Sequence, residues 1–273
     1  MKSYLKLLEK VLKNGHKRED RTGVGTIALF GEQLRFDLSN GFPLVTTKKM
    51  FFKGIAGELL WFISGSQDNN KLNDMGIHIW DANANANYWK PKATFPGDLG
   101  RVYGVQWRSW VTPEGKIIDQ LADVIKRIKS DPFDRRLIVT AWNPGELDKM
   151  ALPPCHVLFQ FFVADGKLSL QMYQRSCDLF LGVPFNIASY SLLLHMMAQV
   201  TDLTPGEFIH VLGDTHIYTN HIKQVEDQLT RKPLPLPILE LNPLIKDIDK
   251  FSLEDIKLKD YESYPSIKAA MAV

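Results

Sequence analysis

Hydrophobic residues recur at helical spacing in four parts of the chain. The repeat in residues 4–12 ends at Asn14-Gly15, which predicts an amphipathic helix closed by a glycine. Residues 51–64 predict a buried helix, residues 118–128 a second amphipathic helix, and residues 187–197 a strongly hydrophobic one. Helices with an apolar face need another layer of structure to pack against.

Alternation of apolar and polar residues predicts strands in other segments. Residues 26–38 alternate, but apolar side chains occupy odd positions before Gly31 and even positions after it. A β-bulge explains this change, because one extra residue reverses the facing of all that follow. Shorter strand patterns cover residues 137–142 and 207–212. Because no internal repeat or low-complexity boundary appears, we expect one α+β domain over residues 1–273.

A predicted hairpin brings the most reactive residues of the chain together. Residues 157–164 and 167–178 flank Asp165-Gly166, a favoured two-residue turn because both positions tolerate positive φ. On the second arm Leu168, Leu170 and Met172 alternate with more polar residues, which is the period of a strand. The hairpin places Cys155 near Arg175 and Ser176. A thiol beside a guanidinium is held more readily as the reactive thiolate, which predicts a catalytic nucleophile. The alternative is a small buried apolar residue, although the two preceding prolines favour a rigid loop.

Composition excludes several classes of protein. Apolar residues make up 45% and charged residues 23% of the 273 positions, as in ordinary globular proteins. The net charge of +2 gives no general attraction to nucleic acid or membranes. Two cysteines do not form a disulfide framework, and residues 1–10 lack a signal-peptide core. We therefore expect a reducing, cytoplasmic location and binding to neither membrane nor DNA.

Charged residues in three other places suggest a local site. Arg21 lies in a polar, glycine-bearing loop that is able to surround an anion, although the glycine spacing is not that of a phosphate loop. Arg135 and Arg136 precede a strand and form either a solvated edge or a phosphate clamp. Glu58 stands among apolar residues, so it is paired, held with a raised pKa for acid–base work, or on a helix surface.

Residues 81–100 lack an apolar period and are expected to form a surface loop. Trp80 and Trp89 in this region either contact a ligand or anchor the loop. His216 and His221 do not match a common zinc spacing, so we expect no metal site.

Together, these segments resemble thymidylate synthase from end to end. The motifs that carry the resemblance, in chain order, are Asp20-Arg-Thr-Gly23, Phe42-Pro-Leu-Val-Thr-Thr-Lys48, Glu58-Leu-Leu-Trp-Phe62, Gly97-Asp-Leu-Gly100, Val102-Tyr-Gly104, Arg135-Arg136, Ala151-Leu-Pro-Pro-Cys-His156, Gln174-Arg-Ser-Cys-Asp178, Pro184-Phe-Asn-Ile-Ala-Ser189 and Gly213-Asp-Thr-His-Ile-Tyr218. Each is a modest signal, but their combination in this order is highly specific.

The resemblance implies a reaction and a fold. The reaction is the reductive methylation of dUMP to dTMP, with 5,10-methylenetetrahydrofolate as co-substrate and no metal. The fold is a large, mixed, bulged sheet flanked by helices, and this sheet packs against that of a partner in a homodimer. The partner would donate Arg135 and Arg136 to the site. In this family a dUMP hydroxymethylase, which adds water where the synthase adds hydride, is the alternative.

The resemblance also assigns residues to roles. The residues implied in catalysis are Cys155, Glu58, Tyr103, His156 and Asn186. Those implied in substrate binding are Arg21, Arg135, Arg136, Gln174, Arg175, Ser176, Asp178, Asn186, His216 and Tyr218. Those implied in folate binding are Lys48, Ile79, Trp80, Asp178, Leu181, Gly182, Phe185 and Ala272. Cys177 is expected to be structural.

Three features depart from the family pattern. Residue 83 is Asn where some members carry tryptophan, residues 84–96 form an insertion relative to shorter bacterial members, and the last four residues are Ala-Met-Ala-Val. Two other classes of protein are weaker alternatives. A cysteine hydrolase needs an oxyanion hole that no motif indicates, and a nucleotide-binding regulator would tolerate the loss of Cys155.

Overall fold

A six-stranded mixed sheet organises the chain in a computed structural model that describes residues 1–20 and 22–270. Predictions for Arg21 and Ala272 lie outside these residues. The strands are β1 (His16–Arg18), β2 (Thr26–Asp37), β3 (Trp110–Val111), β4 (Ile117–Ile118), β5 (Ile138–Thr140), β6 (His156–Ala164), β7 (Lys167–Asp178), β8 (Thr204–Tyr218), β9 (Ile238–Leu241) and β10 (Ile256–Lys259). The large sheet has the order β1-β2-β8-β7-β6-β5, and only its β7–β8 pair is parallel.

Helices cover one face of this sheet. They are α1 (Lys2–Asn14), α2 (Phe52–Ile63), α3 (Asn70–Asp74), α4 (Asp81–Ala84), α5 (Tyr103–Arg108), α6 (Gln120–Ser130), α7 (Gly182–Val200) and α8 (Ile222–Thr230). The predicted α+β class is confirmed, as are the four helices predicted from hydrophobic spacing. α7 is buried along most of its length because it lies between the sheet and α2. Among the described residues, no helix has the length and apolar character needed to cross a membrane.

The central hairpin forms as the sequence predicted. Asp165 and Gly166 both have positive φ, at 50° and 71°, and Ala164 pairs with Lys167. Near the open end, β6 carries one extra residue between His156 and Leu158, which is a true β-bulge. The backbone N–H of Arg175 donates to the carbonyl oxygen of Cys155 at 2.9 Å, so the hairpin does bring these residues together.

The change of facing in β2 occurs where it was predicted, but its cause differs. Phe30 pairs with Asp214 and Glu32 with Leu212, which leaves Gly31 opposite Gly213. No residue of β2 is therefore extra relative to β8, and the predicted bulge between these strands is wrong. The pairing of β2 with β8 keeps its register because the side chains of β8 and β7 also change face at this level.

We call this level the bend row, and it consists of Gly31, Gly213 and Arg175. In β8 the even positions Phe208, His210 and Leu212 are buried and the odd positions between them are only partly buried, whereas after Gly213 the odd positions Thr215 and Ile217 are buried as well. In β7 the buried positions likewise change from even to odd on either side of the bend row. Gly31 takes a φ of +81°, a conformation that glycine adopts without strain.

Residues 81–100 are more ordered than a surface loop. They begin with α4, and Trp89 is only 3% exposed. The indole Nε1 of Trp89 donates to the carbonyl oxygen of Asp98 at 2.7 Å, so this side chain anchors the segment. The hydroxyl of Tyr88 donates to the carbonyl oxygen of Ala151, four residues before Cys155. The segment thus supports the loop that holds the cysteine.

Replacing Gly31 with Ala should cost about 1–2 kcal/mol of unfolding free energy, because an L residue is strained at this φ. Gly115→Ala is a matched control, since Gly115 has the same φ of +81° and equally open surroundings in a distant turn. Both changes should lower stability in urea denaturation to a similar extent. Only Gly31→Ala should also alter the rate at which iodoacetamide alkylates Cys155, because it strains the bend row that contains Arg175. Equal alkylation rates in the two variants would contradict this prediction.

Candidate active site

A rigid loop presents Cys155 at the start of β6. The guanidinium of Arg175 donates from Nε to the carbonyl oxygen of Pro154 and from Nη2 to that of Pro153, both at 2.8 Å. The backbone N–H of Cys155 donates to the hydroxyl oxygen of Tyr103 at 2.8 Å. These bonds fix the loop from two sides and leave the Sγ of Cys155, a partly exposed residue, 3.9 Å from Nη2 of Arg175.

The protonation of Cys155 differs from the prediction. Burial raises the pKa of its thiol, and this effect outweighs the lowering by Arg175, Tyr103 and Ser176. The contribution of Arg175 has the predicted sign, but the net direction is the opposite one. The thiol lies among poorly hydrated groups, where a thiolate loses more solvation than one nearby cation restores. In this state the chain holds the thiol protonated.

Glu58 faces the same region from α2. Burial raises the pKa of its carboxyl from 4.5 to about 7, although a hydrogen bond from Nε1 of Trp80 to Oε1, 2.7 Å long, acts in the opposite direction. The Trp80 indole is itself 6% exposed and packs against Phe62 and Tyr103. Of the alternatives for Glu58, the structure therefore supports the raised pKa. A carboxyl that titrates near neutrality can both donate and accept protons.

An aromatic and histidine cluster lies between Glu58 and Cys155. The rings of Tyr103 and His156 have centroids 5.0 Å apart, and those of His156 and Tyr190 are 5.3 Å apart. Burial lowers the pKa of His156 to about 4, a hydrogen bond with Asn186 opposes this shift, and Arg175 adds to it. His156 is therefore neutral at physiological pH. Asn186, on the second turn of α7, is 8% exposed and lies within this cluster.

The side-chain amide of Gln174, one residue before the bend row, contacts a partner at each end. Its Nε2 donates to the carbonyl oxygen of Ser176 at 2.9 Å, and its Oε1 lies 2.8 Å from Nε2 of His210. Because the Ser176 carbonyl can only accept, the amide orientation is fixed and His210 must donate from Nε2. Burial lowers the pKa of His210 to about 3, so its ring is neutral. His210 was not identified from the sequence, where it appears only as one polar position in a strand.

Most of the residues implied in folate binding lie near the end of β7, whereas Trp80 belongs to the cluster around Glu58. Asp178 accepts backbone N–H bonds from Phe180 and Leu181 at 2.9 and 3.1 Å, which shapes the turn into α7. Three partly exposed residues of this turn and helix start are Leu181, Gly182 and Phe185. Lys48 is 5% exposed, its Nζ lies 3.7 Å from the ring centroid of Phe180, and burial lowers its pKa to about 7. Ile79 is partly exposed beside Trp80.

Two further predicted residues lie across the sheet on β8. His216 pairs with Asp178 in the parallel register, and its ring centroid lies 5.1 Å from that of Tyr218. Nδ1 of His216 is 3.0 Å from Oδ1 of Asp214. His221 has a different partner, since its Nε2 lies 2.7 Å from the carbonyl oxygen of Ala270.

Arg135 and Arg136 lie far from Cys155 within one chain. They are exposed and precede β5, where Ile138 pairs with Gln160. Continuing that register places Arg136 beside residue 162 of β6, seven residues from Cys155. At about 3.3 Å per residue this separation is on the order of 20 Å. Arg136 instead donates to Asp134, whose pKa is lowered chiefly by that hydrogen bond.

The thymidylate synthase family model matches residues 2–273, essentially the whole chain. The chain belongs to the thymidylate synthase family. Members of this family act on dUMP and use methylenetetrahydrofolate as co-substrate.

Stability should depend on the charge of Glu58. Its raised pKa means that the folded state binds the proton more tightly than the unfolded state. The contribution of this carboxyl to the unfolding free energy is therefore complete below pH 4.5 and is lost as the pH rises through about 7. Relative to Glu58→Gln, the original protein should lose up to about 3 kcal/mol of unfolding free energy over that interval. Urea denaturation of both proteins at several pH values measures the difference.

Glu146→Gln is the control for this measurement. Burial raises the pKa of Glu146, but hydrogen bonds from Gln106 and Arg101 outweigh it and lower the pKa overall. Its contribution therefore changes only below about pH 4.5, and the Glu146→Gln difference should stay constant between pH 5 and 8. A Glu58→Gln difference that is equally flat would show that Glu58 ionises normally.

Proposed function

We propose that this protein converts dUMP to dTMP by reductive methylation with 5,10-methylenetetrahydrofolate. The observation that carries the proposal is the position of Cys155, whose Sγ lies 3.9 Å from Nη2 of Arg175 on a loop fixed by that guanidinium and by Tyr103. In a member of this family, a thiol next to a guanidinium suits a nucleophile that acts beside the bound phosphate of the nucleotide.

In the proposed reaction, the Cys155 sulfur adds to C6 of the uracil, so that C5 becomes the nucleophile toward the one-carbon unit. The thiol must lose its proton before it attacks. Arg175, Tyr103 and Ser176 all favour the thiolate against the effect of burial. Covalent attack divides the carbon transfer into two steps, each easier than a direct substitution at an unactivated C5.

Asn186 selects the base in this proposal. A side-chain amide offers one acceptor and two donor hydrogens, which complement the N3–H and O4 of uracil. Cytosine has an acceptor at N3 and an amino donor at C4, so an amide oriented for uracil would place acceptor against acceptor and donor against donor. The side chain of Asn186 interacts with the neutral ring of His156, whose pKa it raises against the larger effect of burial. In family members that act on dCMP an aspartate tends to occupy this position, so Asn186 favours dUMP.

Glu58 is the proposed proton-transfer group. With a pKa of about 7, the carboxyl is present in both protonation states at neutral pH. It would work through ordered water in activating the folate and in its departure. Ile79, Trp80, Lys48, Asp178 and the start of α7 would form the folate-binding side of the cleft, and Ala272 would close it.

A homodimer would complete the phosphate site. The face of the sheet not covered by helices exposes large apolar side chains, among them Phe162 at 67% and Ile138 at 42%. A second sheet packed on this face would bury them and bring Arg135 and Arg136 toward the partner's site. Arg175 and Ser176 of one chain, with Arg21, would bind the same phosphate.

Turnover tests the reaction directly. Incubation with dUMP and the folate should raise the absorbance that accompanies dihydrofolate formation, because hydride leaves the folate. Cys155→Ala should abolish this signal yet retain dUMP binding, whereas Cys177→Ala, which alters a fully buried thiol, should retain turnover. A mass increase by 5-fluoro-dUMP plus folate should require Cys155. Product formation without dihydrofolate would favour the hydroxymethylase alternative, and turnover by Cys155→Ala would exclude the assigned nucleophile.

Hybrid dimers test whether sites are shared. A chain with Arg135→Ala and Arg136→Ala should have little activity, and so should Cys155→Ala. Random mixing should restore about a quarter of the original activity, because half of the dimers then hold one intact site. The matched control is a Cys155→Ala partner that also lacks both arginines, which should restore nothing. Equal activity in the two mixtures would contradict donation across the interface.

A further inference from the structure

The carboxylate of Asp214 joins a site residue to an edge strand. Oδ1 lies 3.0 Å from Nδ1 of His216, and Oδ2 accepts from Nη1 of Arg18 in β1. His216 is 6% exposed, while Arg18 lies mostly in solvent. Asp214 immediately follows Gly213 of the bend row, so its side chain is placed by the same backbone feature that places Arg175.

The contacts of His216 determine which ring nitrogen carries a proton. Nδ1 faces the Asp214 carboxylate and also its backbone carbonyl oxygen at 3.3 Å, and both groups only accept. Nδ1 must therefore carry hydrogen, and in the neutral ring Nε2 is an acceptor. Asp20 interacts electrostatically with His216, but its own oxygens accept from Thr22 and Gly25. Asp20 therefore does not supply an alternative partner that would reverse this tautomer.

We propose that Asp214, held by Arg18, is a positioning residue that keeps Nδ1 of His216 protonated so that Nε2 accepts a hydrogen bond from the 3′-hydroxyl of the nucleotide. This inference rests on the proposed function, because it assumes a deoxyribonucleotide in the cleft. With phosphate at the 5′ position and no 2′-hydroxyl, the 3′-hydroxyl is the only donor on that sugar. Asp214 would contribute to recognition of the sugar without touching it.

A second ion pair, between β2 and β8, shows what an ordinary link between strands of this sheet looks like. Arg35 pairs with Glu207 at the other end of β2 and β8, and the side-chain exposures of 55% and 33% nearly equal the 57% and 33% of Arg18 and Asp214. The two pairs thus have similar solvent screening. Only Asp214 also bonds a buried histidine, and the hydrogen bonds that lower its pKa come first from His216 and then from Arg18.

A substrate analogue separates positioning from general damage. Wild-type protein should bind dUMP about tenfold more tightly than 2′,3′-dideoxyuridine monophosphate, which lacks the 3′-hydroxyl. Asp214→Ala should lose most of this preference by weakening dUMP binding alone, with a higher KM and a kcat within about twofold of wild type. The preference of Asp214→Asn for dUMP should lie between those of the wild type and Asp214→Ala. Its single side-chain oxygen can accept a hydrogen bond from Arg18 or from His216 but not from both. Calorimetry measures the affinities.

Glu207→Ala is the matched control, expected to cause a similar small loss of melting temperature with no change in nucleotide preference. If Asp214→Ala keeps the tenfold preference, or weakens the binding of dUMP and of its dideoxy analogue equally, the proposal is overturned. Histidine ¹H–¹⁵N spectra of the free protein provide a readout that does not depend on dUMP. They should show His216 protonated at Nδ1 in the wild type, and a mixture of tautomers in Asp214→Ala. Failure of every protein to bind dUMP, with these spectra as expected, would refute the proposed function and leave the role of Asp214 toward His216 intact.

Discussion

The site depends on the coordinated change of facing in three adjacent strands. If only β2 had bulged, its pairing with β8 would have shifted by one residue, and every side chain beyond would have changed neighbours. Because Gly31, Gly213 and Arg175 lie at one level, the strands bend together and keep their register. The bend gives two consecutive residues of β7, Arg175 and Ser176, partial exposure, where strict alternation would expose only one. The backbone of Arg175 at the same point bonds to Cys155, so the nucleophile and the cation share one support.

Burial divides the cleft into a neutral half and a charged half. It raises the pKa of Cys155 and lowers that of His156, so both groups are neutral at pH 7, and it raises the pKa of Glu58 to about 7, so this carboxyl is only partly ionised there. In such surroundings a polar amide like that of Asn186 meets little competition from water, which strengthens recognition by hydrogen bonding. Positive charge is concentrated instead on Arg175, whereas the negative charge of Asp214 on β8 is paired with Arg18. This separation suits a ligand with an uncharged ring at one end and an anion at the other.

Local patterns were sufficient to predict the helices, the hairpin and the place of the bend, because these depend on spacing and on turn chemistry. The position of Cys155 beside Arg175 was also predictable, because it follows from the turn chemistry of the hairpin. The sequence could not show that Gly31 and Gly213 face each other, since a register is a property of two strands. It also could not give the sign of the Cys155 pKa shift, because burial depends on all the elements around the thiol. Asp214 and His210 were missed, since their importance comes from partners that the chain brings together only on folding.

Arg175 both fixes the loop that carries Cys155 and is available to bind an anion, so it couples the anion site to the nucleophile. Of its five N–H groups, two hold the carbonyl oxygens of Pro153 and Pro154 and a third is directed at the Sγ of Cys155, which leaves the two on Nη1 for a ligand. A phosphate dianion offers three oxygens with several lone pairs, more than this one side chain can satisfy. Additional arginines from a second chain would bind the phosphate without drawing Arg175 away from the proline carbonyls. On this argument, the exposed face of the sheet matters for chemistry as well as for stability, because the loop bearing Cys155 keeps its shape only while Arg175 stays in place.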